Sequence, residues 1–234
     1  DNVAAGVPAG AGFTYFHRGT DPNNLSVDPS VSGMSDSLRY LSGVNSNMPN
    51  ISIFLNNETI ASQIGLEVVK ANPRQDHDVR SLIDDFTAWE VLKGVHLGYT
   101  GHYTIRNLDV VGTDSAGIPL QNGAGISLGV HVFDVVVNGA NIEGFSTGVY
   151  QHKTAVNGLS FMNALDRWDY VYIDVNITGA TQNYSNVTAN DRHLTAADLT
   201  AGRLSYSSSY AESHISQKNG VFDLQGVKTD SIGK

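Results

Sequence analysis

Three segments of this chain open with a glycine and then a β-branched residue, and that recurrence limits the possible folds more than any other feature. "GVHLGYTGHYTIRNLDVVG" begins at Gly94, "GISLGVHVFDVVVNGANIEG" at Gly125 and "GVYQHKTAVNGLSFMN" at Gly148. The starting glycines lie 31 and then 23 residues apart. Each segment runs through a short apolar burst, a Gly or Asn corner and a second burst around Asn107, Asn138 or Asn157. Upstream, "SLIDDFTAWEVLKGV" has a similar layout, and downstream "YVYIDVNITGA" and "GVFDLQGVK" read as further strands. A hairpin does not recur in this way. A drifting period of about 20 to 30 residues with short strands and Gly or Asn corners is the pattern of a stacked β-solenoid, in which each unit buries its inner face only against its neighbours.

Side chains alternate between the two faces of a strand. Aligned on their glycines, Val95, Ile126 and Val149 fall at equal positions and should point inward, as should Leu97 and Leu128, with Gln151 as the departure. His96, Ser127 and Tyr150 then form an outward column. Successive strands lie about 4.8 Å apart, so His96 and Tyr150 should stand about 10 Å apart, a width that suits a sugar ring. Asn107, Asn138 and Asn157 are candidates for an amide ladder at one corner, with Asn107 displaced by one residue.

From about Val79 to Ala180 the chain resembles right-handed parallel β-helix proteins of the pectin-lyase-like type. The residues that carry the resemblance are "YTIRNLDVVG", "DVVVNGANIEGF", "NGLSFMN" and the three glycine starts. It implies an all-β, right-handed parallel β-helix. On this reading residues 1–75 form an N-terminal cap or extension, and residues 76–234 form the β-helix, truncated at its C-terminal end. One or two short helices are expected at Ser35–Gly43 and Thr195–Leu204, each with a capping residue at its start.

Composition narrows the partners. The 234 residues carry 14 Lys and Arg against 23 Asp and Glu, a net charge of −9, and no basic run occurs. Phosphate neutralisation needs clustered cations, so nucleic acid is an unsuitable partner. There is no Cys, which rules out disulfides and thiol chemistry. No stretch approaches the roughly 20 apolar residues of a membrane span. The resemblance to pectin-lyase-like β-helices implies a secreted or cell-surface setting, with polysaccharide as the partner.

The residue types needed for uronate chemistry fall together in "GVYQHKT", where Tyr150, His152 and Lys153 lie within four residues. Removing the C5 proton of a uronic acid requires a base and a cation or donor that neutralises the adjacent carboxylate. Tyr150, His152, Lys153 and His96 are the candidate catalytic residues. The segment is similar to a G-F-D-P-H-x-x-T pattern of alginate epimerases, but Tyr150 and Gln151 replace its Asp-Pro step. Asp166, Arg167, Trp168 and Asp169 in "ALDRWDYVYIDV" are candidates for binding sugar. Asp76 and Asp78 offer oxygen ligands for calcium, as do the Asp and Asn residues of "DPNNLSVD". Six N-x-Ser/Thr sequons occur, at Asn24, Asn50, Asn57, Asn176, Asn183 and Asn186. Two functions fit these residues: a polysaccharide lyase, epimerase or hydrolase, or a non-catalytic structural or adhesive solenoid.

Overall fold

Short β-branched bursts broken by Gly, Asn and Asp favour strands with tight corners, and strands account for nearly all of the regular structure. The computed structural model describes residues 1–17, 51, 53–70, 81–113, 120–152, 170–186 and 191–195. Thirteen strands follow in chain order: β1 (Asn2–His17), β2 (Phe54–Leu55), β3 (Asn57–Lys70), β4 (Ser81–Asp84), β5 (Thr87–Trp89), β6 (Lys93–Gly98), β7 (Gly101–Val111), β8 (Leu120–Leu128), β9 (Phe133–Glu143), β10 (Phe145–Gln151), β11 (Tyr170–Thr178), β12 (Gln182–Tyr184) and β13 (Arg192–Leu194). The described residues include no helix, and so none long and apolar enough to cross a membrane. The expected helix at Ser35–Gly43 lies outside the described residues, as does all but the first residue of Thr195–Leu204.

Every pairing among these strands is parallel, and together they make one open sheet. Long strands turn corners, so one strand serves more than one set of partners. The first register aligns Phe54, Ile83, Ile105, Val137, Tyr172 and His193. The second aligns Ala4, Thr59, Ala88, Val110, Ile142 and Ile177. The third aligns Phe13, Leu66, Val95, Ile126, Val149 and Tyr184. The expected inward column of Val95, Ile126 and Val149 is therefore in parallel register, and all three are fully buried. Leu97, Leu128 and Gln151 are also aligned and fully buried. The expected boundary near residue 75 falls between described segments, and β1 to β3 on its N-terminal side belong to the same parallel sheet as the later strands.

The recurring glycines have a steric cause. Gly12, Gly65, Gly94, Gly125 and Gly148 sit where the second and third registers approach most closely. A Cβ at these positions would meet Thr59, Ala88, Val110, Ile142 and Ile177 in turn, each time at under 3 Å. Each glycine thus makes room for the second-register residue of the following unit.

The corners between the first and second registers need a left-handed backbone. Asn56, Asp85, Asn107, Gly139 and Asp174 all have φ between 46° and 72°. Asn, Asp and Gly tolerate this conformation best. Asn107 is level with Gly139, while Asn138 pairs with Arg106, so Asn107 is displaced by one residue from Asn138 in register. The physical reason is the backbone: the position level with Asn107 is itself a left-handed corner, and glycine fills it at no steric cost. Asn157 lies outside the described residues.

Strict alternation fails on the first register. Val136, Val171 and Ile173 occupy outward positions, yet all are fully buried, and Thr104 is buried beside them. The runs "DVVVN" and "YVYI" reflect this, since parallel strands covered on both faces read as continuous apolar runs. Asp84, also buried, forms an ion pair with Arg106 at 2.5 Å and accepts a hydrogen bond from Asn107 Nδ2 at 3.3 Å.

Candidate functional site

The outer face of the third register holds the side chains expected to carry chemistry. Glu67, His96, Ser127 and Tyr150 are direct partners in successive strands. The outward column is real, but it is not open along its length. Ser127 is only 3% exposed, because His96 and Tyr150 flank it and its Oγ lies 3.0 Å from His96 Nδ1. The buried Ser127 therefore stands between His96 and Tyr150, the interval expected to take a sugar ring. The sequence showed the direction of these side chains but not that neighbours one rung away would cover the smallest of them.

Burial, together with the charge of nearby Lys93, pushes the His96 imidazole down to about 4, with the Ser127 hydrogen bond opposing the shift. His96 is therefore neutral at pH 7. Tyr150 is the exposed member of the column, at 37%. Its ring lies 6.3 Å from that of His152 in a tilted edge contact. His152 in turn lies close enough to His131 to help lower its pKa, burial being the larger cause. His131 packs edge-on against Tyr99 at 4.8 Å. Tyr99 and His131 both sit in left-handed corners and were not singled out from sequence, because periodicity breaks where the chain turns. A rim of Tyr150, His152, His131 and Tyr99 thus borders the third-register face, with His96 and Ser127 tied together beside it.

Of the other residues expected to act, Lys153, Asp166, Arg167, Trp168, Asp169, Asp76 and Asp78 lie outside the described residues, as does "DPNNLSVD". Among the described residues no group of three or more His, Asp or Glu side chains is arranged to hold a metal ion.

A second cluster lies at the far end of the sheet. Tyr172 stacks on His193 at 5.0 Å, and Tyr184 contacts both rings at 5.0 and 4.5 Å. With Val175 and Thr195 these rings line a cavity of about 230 Å³. Gln151 Nε2 donates to the Tyr172 hydroxyl at 2.6 Å, and burial raises that hydroxyl well above its ordinary pKa. The aligned core positions, aliphatic through most of the sheet, thus become Gln151, Tyr172, Tyr184 and His193 at this end.

Comparison with protein-family models, with curated proteins and with solved structures finds no match to this chain.

Proposed function

We propose that this chain is a right-handed parallel β-helix of a secreted or cell-surface protein, and that it engages polysaccharide along the outside of its coils. Three parallel registers visited in the same order by successive stretches of chain support the coiled reading, and parallel crossovers are overwhelmingly right-handed. The observation that carries the function is the exposed Tyr150, edge-on to the half-buried His152, at the end of the Glu67–His96–Ser127 column. An aromatic ring with a polar tip offers an apolar platform to a sugar face and hydrogen bonds to its hydroxyls. This suits an adhesive or structural solenoid that holds a polymer against its side.

Turnover of a uronate polymer is the second reading, and the Tyr150–His152 ring contact favours it, because a phenol beside an imidazole supplies both a proton donor and a proton acceptor. Tyr150 and His152 would then share the base and donor roles, with Lys153 or Arg167 neutralising the substrate carboxylate.

One panel tests both readings. The chain is titrated with neutral and uronate polysaccharides, and each mixture is assayed for new unsaturated ends and reducing sugar. The binding reading expects retention without turnover, weakened about tenfold or more by Tyr150→Ala. Turnover reduced about 100-fold by Tyr150→Phe or His152→Ala would establish the catalytic reading, since that is the usual loss with a general base. Neither binding nor turnover on the whole panel would overturn both.

A further inference from the structure

The outer face of the second register carries two adjacent columns that the site above does not use. One runs Val3, Glu58, Thr87, Asp109, Asn141 and Asn176. The other runs Ala5, Ile60, Trp89, Val111, Glu143 and Thr178. The two are separated by one inward residue, which sets them about 6.6 Å apart along the strands, and successive rungs are about 4.8 Å apart. Trp89 is 47% exposed, with the half-buried Ile60 and Val111 above and below it. Beside this apolar strip, Asp109, Asn141 and Asn176 stand exposed in direct succession, with Thr87 and Glu58 half-exposed beyond them.

An indole face flanked by a row of carboxylate, amide and hydroxyl groups matches the two sides of a sugar ring. The C–H face of the ring needs an apolar platform, and its hydroxyls need hydrogen-bonding groups about one residue away. Charge selects among sugars. The charged side chains of the two columns are Glu58, Asp109 and Glu143, and neither column contains Lys or Arg. Acidic groups with no cation beside them repel a polyanion. From these columns we infer that the second-register face binds a neutral polysaccharide strand laid across the rungs, with Trp89 stacking on one ring and the Thr87–Asp109–Asn141–Asn176 row bonding the hydroxyls of its neighbours. The face is separate from the Tyr150–His152 rim, and the inference does not depend on that rim binding anything.

The experiment uses the full chain and measures affinity for a mixed-linkage β-glucan, a galactomannan and soluble starch, with polygalacturonate as the anionic control. At least one neutral polymer should bind, and raising salt from 0.05 to about 0.5 M should leave that affinity nearly unchanged, because no ion pair is involved. Trp89→Ala should weaken binding about tenfold or more, as expected for an exposed tryptophan at the centre of a contact. Phe16→Ala, a more exposed aromatic elsewhere, should not. In a Trp168→Phe background Trp89 is the remaining tryptophan, and its emission should shift to the blue on saturation. Asp109→Ala with Asn141→Ala provides a second variant at exposed positions should Trp89→Ala fold poorly. The inference is overturned if no neutral polymer binds, if only polygalacturonate binds, or if both variants bind as the native chain does. A neutral polymer released by Tyr150→Ala but retained by Trp89→Ala would sit on the third-register face and would also overturn it.

Discussion

Replacing Gly125 with alanine tests the packing rule that governs the whole sheet. The added Cβ would lie 2.2 Å from Ile142 Cγ2 and 2.9 Å from the Gly148 carbonyl oxygen. Ordinary contacts of this kind begin near 3.4 Å, so about an ångström of movement is required, and the carbonyl belongs to a backbone fixed by pairing on both sides. Overpacking a filled interior typically costs about 1–3 kcal/mol. Against this, losing the flexibility of glycine in the unfolded chain favours the alanine by about 0.4–1 kcal/mol. The net loss should be about 0.5–2.5 kcal/mol, which for a chain of this size lowers Tm by roughly 1–10 °C. Gly98→Ala is the matched control. Its Cβ would find nothing closer than 3.6 Å and its φ is not left-handed, so it should be neutral or slightly stabilising. Ile142→Ala alone should cost about 2–5 kcal/mol. In the double variant the two losses should fall short of their sum by about 1 kcal/mol or more, because truncating Ile142 removes the closer of the two clashes. Thermal and urea denaturation of the four variants and the native chain gives every number needed. Equal stability of Gly125→Ala and Gly98→Ala, or simple additivity with Ile142→Ala, would refute the argument that these glycines are present for steric reasons.

Other expectations concern single side chains. Ile126→Asp places a carboxylate in a fully buried apolar column and should cost several kcal/mol, so circular dichroism at 25 °C should show a largely unfolded chain. Ser127→Asp should cost about 1–3 kcal/mol, because the side chain is buried against His96 although it points outward; Glu67→Gln, half-exposed in the same column, should stay within about 0.5 kcal/mol by urea midpoint. His96 is held at about 4 in the folded state against about 6.5 in the unfolded chain, so between these values the unfolded chain binds more protons. Stability is therefore fully present above pH 6.5 and declines as pH falls towards 4, by up to about 1.4 kcal/mol per pH unit for this group. His96→Gln should flatten the urea midpoint between pH 7 and 5, and an unchanged slope would show that another group dominates.

The parts of this architecture that could be read from sequence are those governed by alternation. Val95, Ile126 and Val149 revealed themselves because a period of two, counted from a glycine, leaves little freedom in register. The same count placed His96, Ser127 and Tyr150 on the outside. It could not show that Ser127 would be shielded, because exposure depends on the size of side chains one rung away. The glycines were seen as markers, but the reason for them, the approach of Val110 and Ile142 from another register, involves contacts between strands that no local pattern encodes. Alternation alone does not give burial on the first register, where Val136, Val171 and Ile173 are buried at outward positions. The Trp89 face escaped notice for a related reason. Its columns assemble Glu58, Thr87, Asp109, Asn141 and Asn176 from five strands, and each residue alone looks like ordinary surface.

The aligned residues Ile83, Ile105, Val137 and Tyr172 are separated by 22, 32 and 35 residues, although their pairing never slips. The cost of closing a loop rises only logarithmically, about 0.6 kcal/mol for each doubling of its length. A one-residue shift within β9, by contrast, would turn every one of its side chains to the opposite face. Insertions are thus nearly free at the turns whose length already varies and ruinous in the rungs. A peptide of a dozen residues grafted after Gly112, where the spacing already varies, should be carried on an unchanged core, which makes this chain a ready display frame for foreign loops.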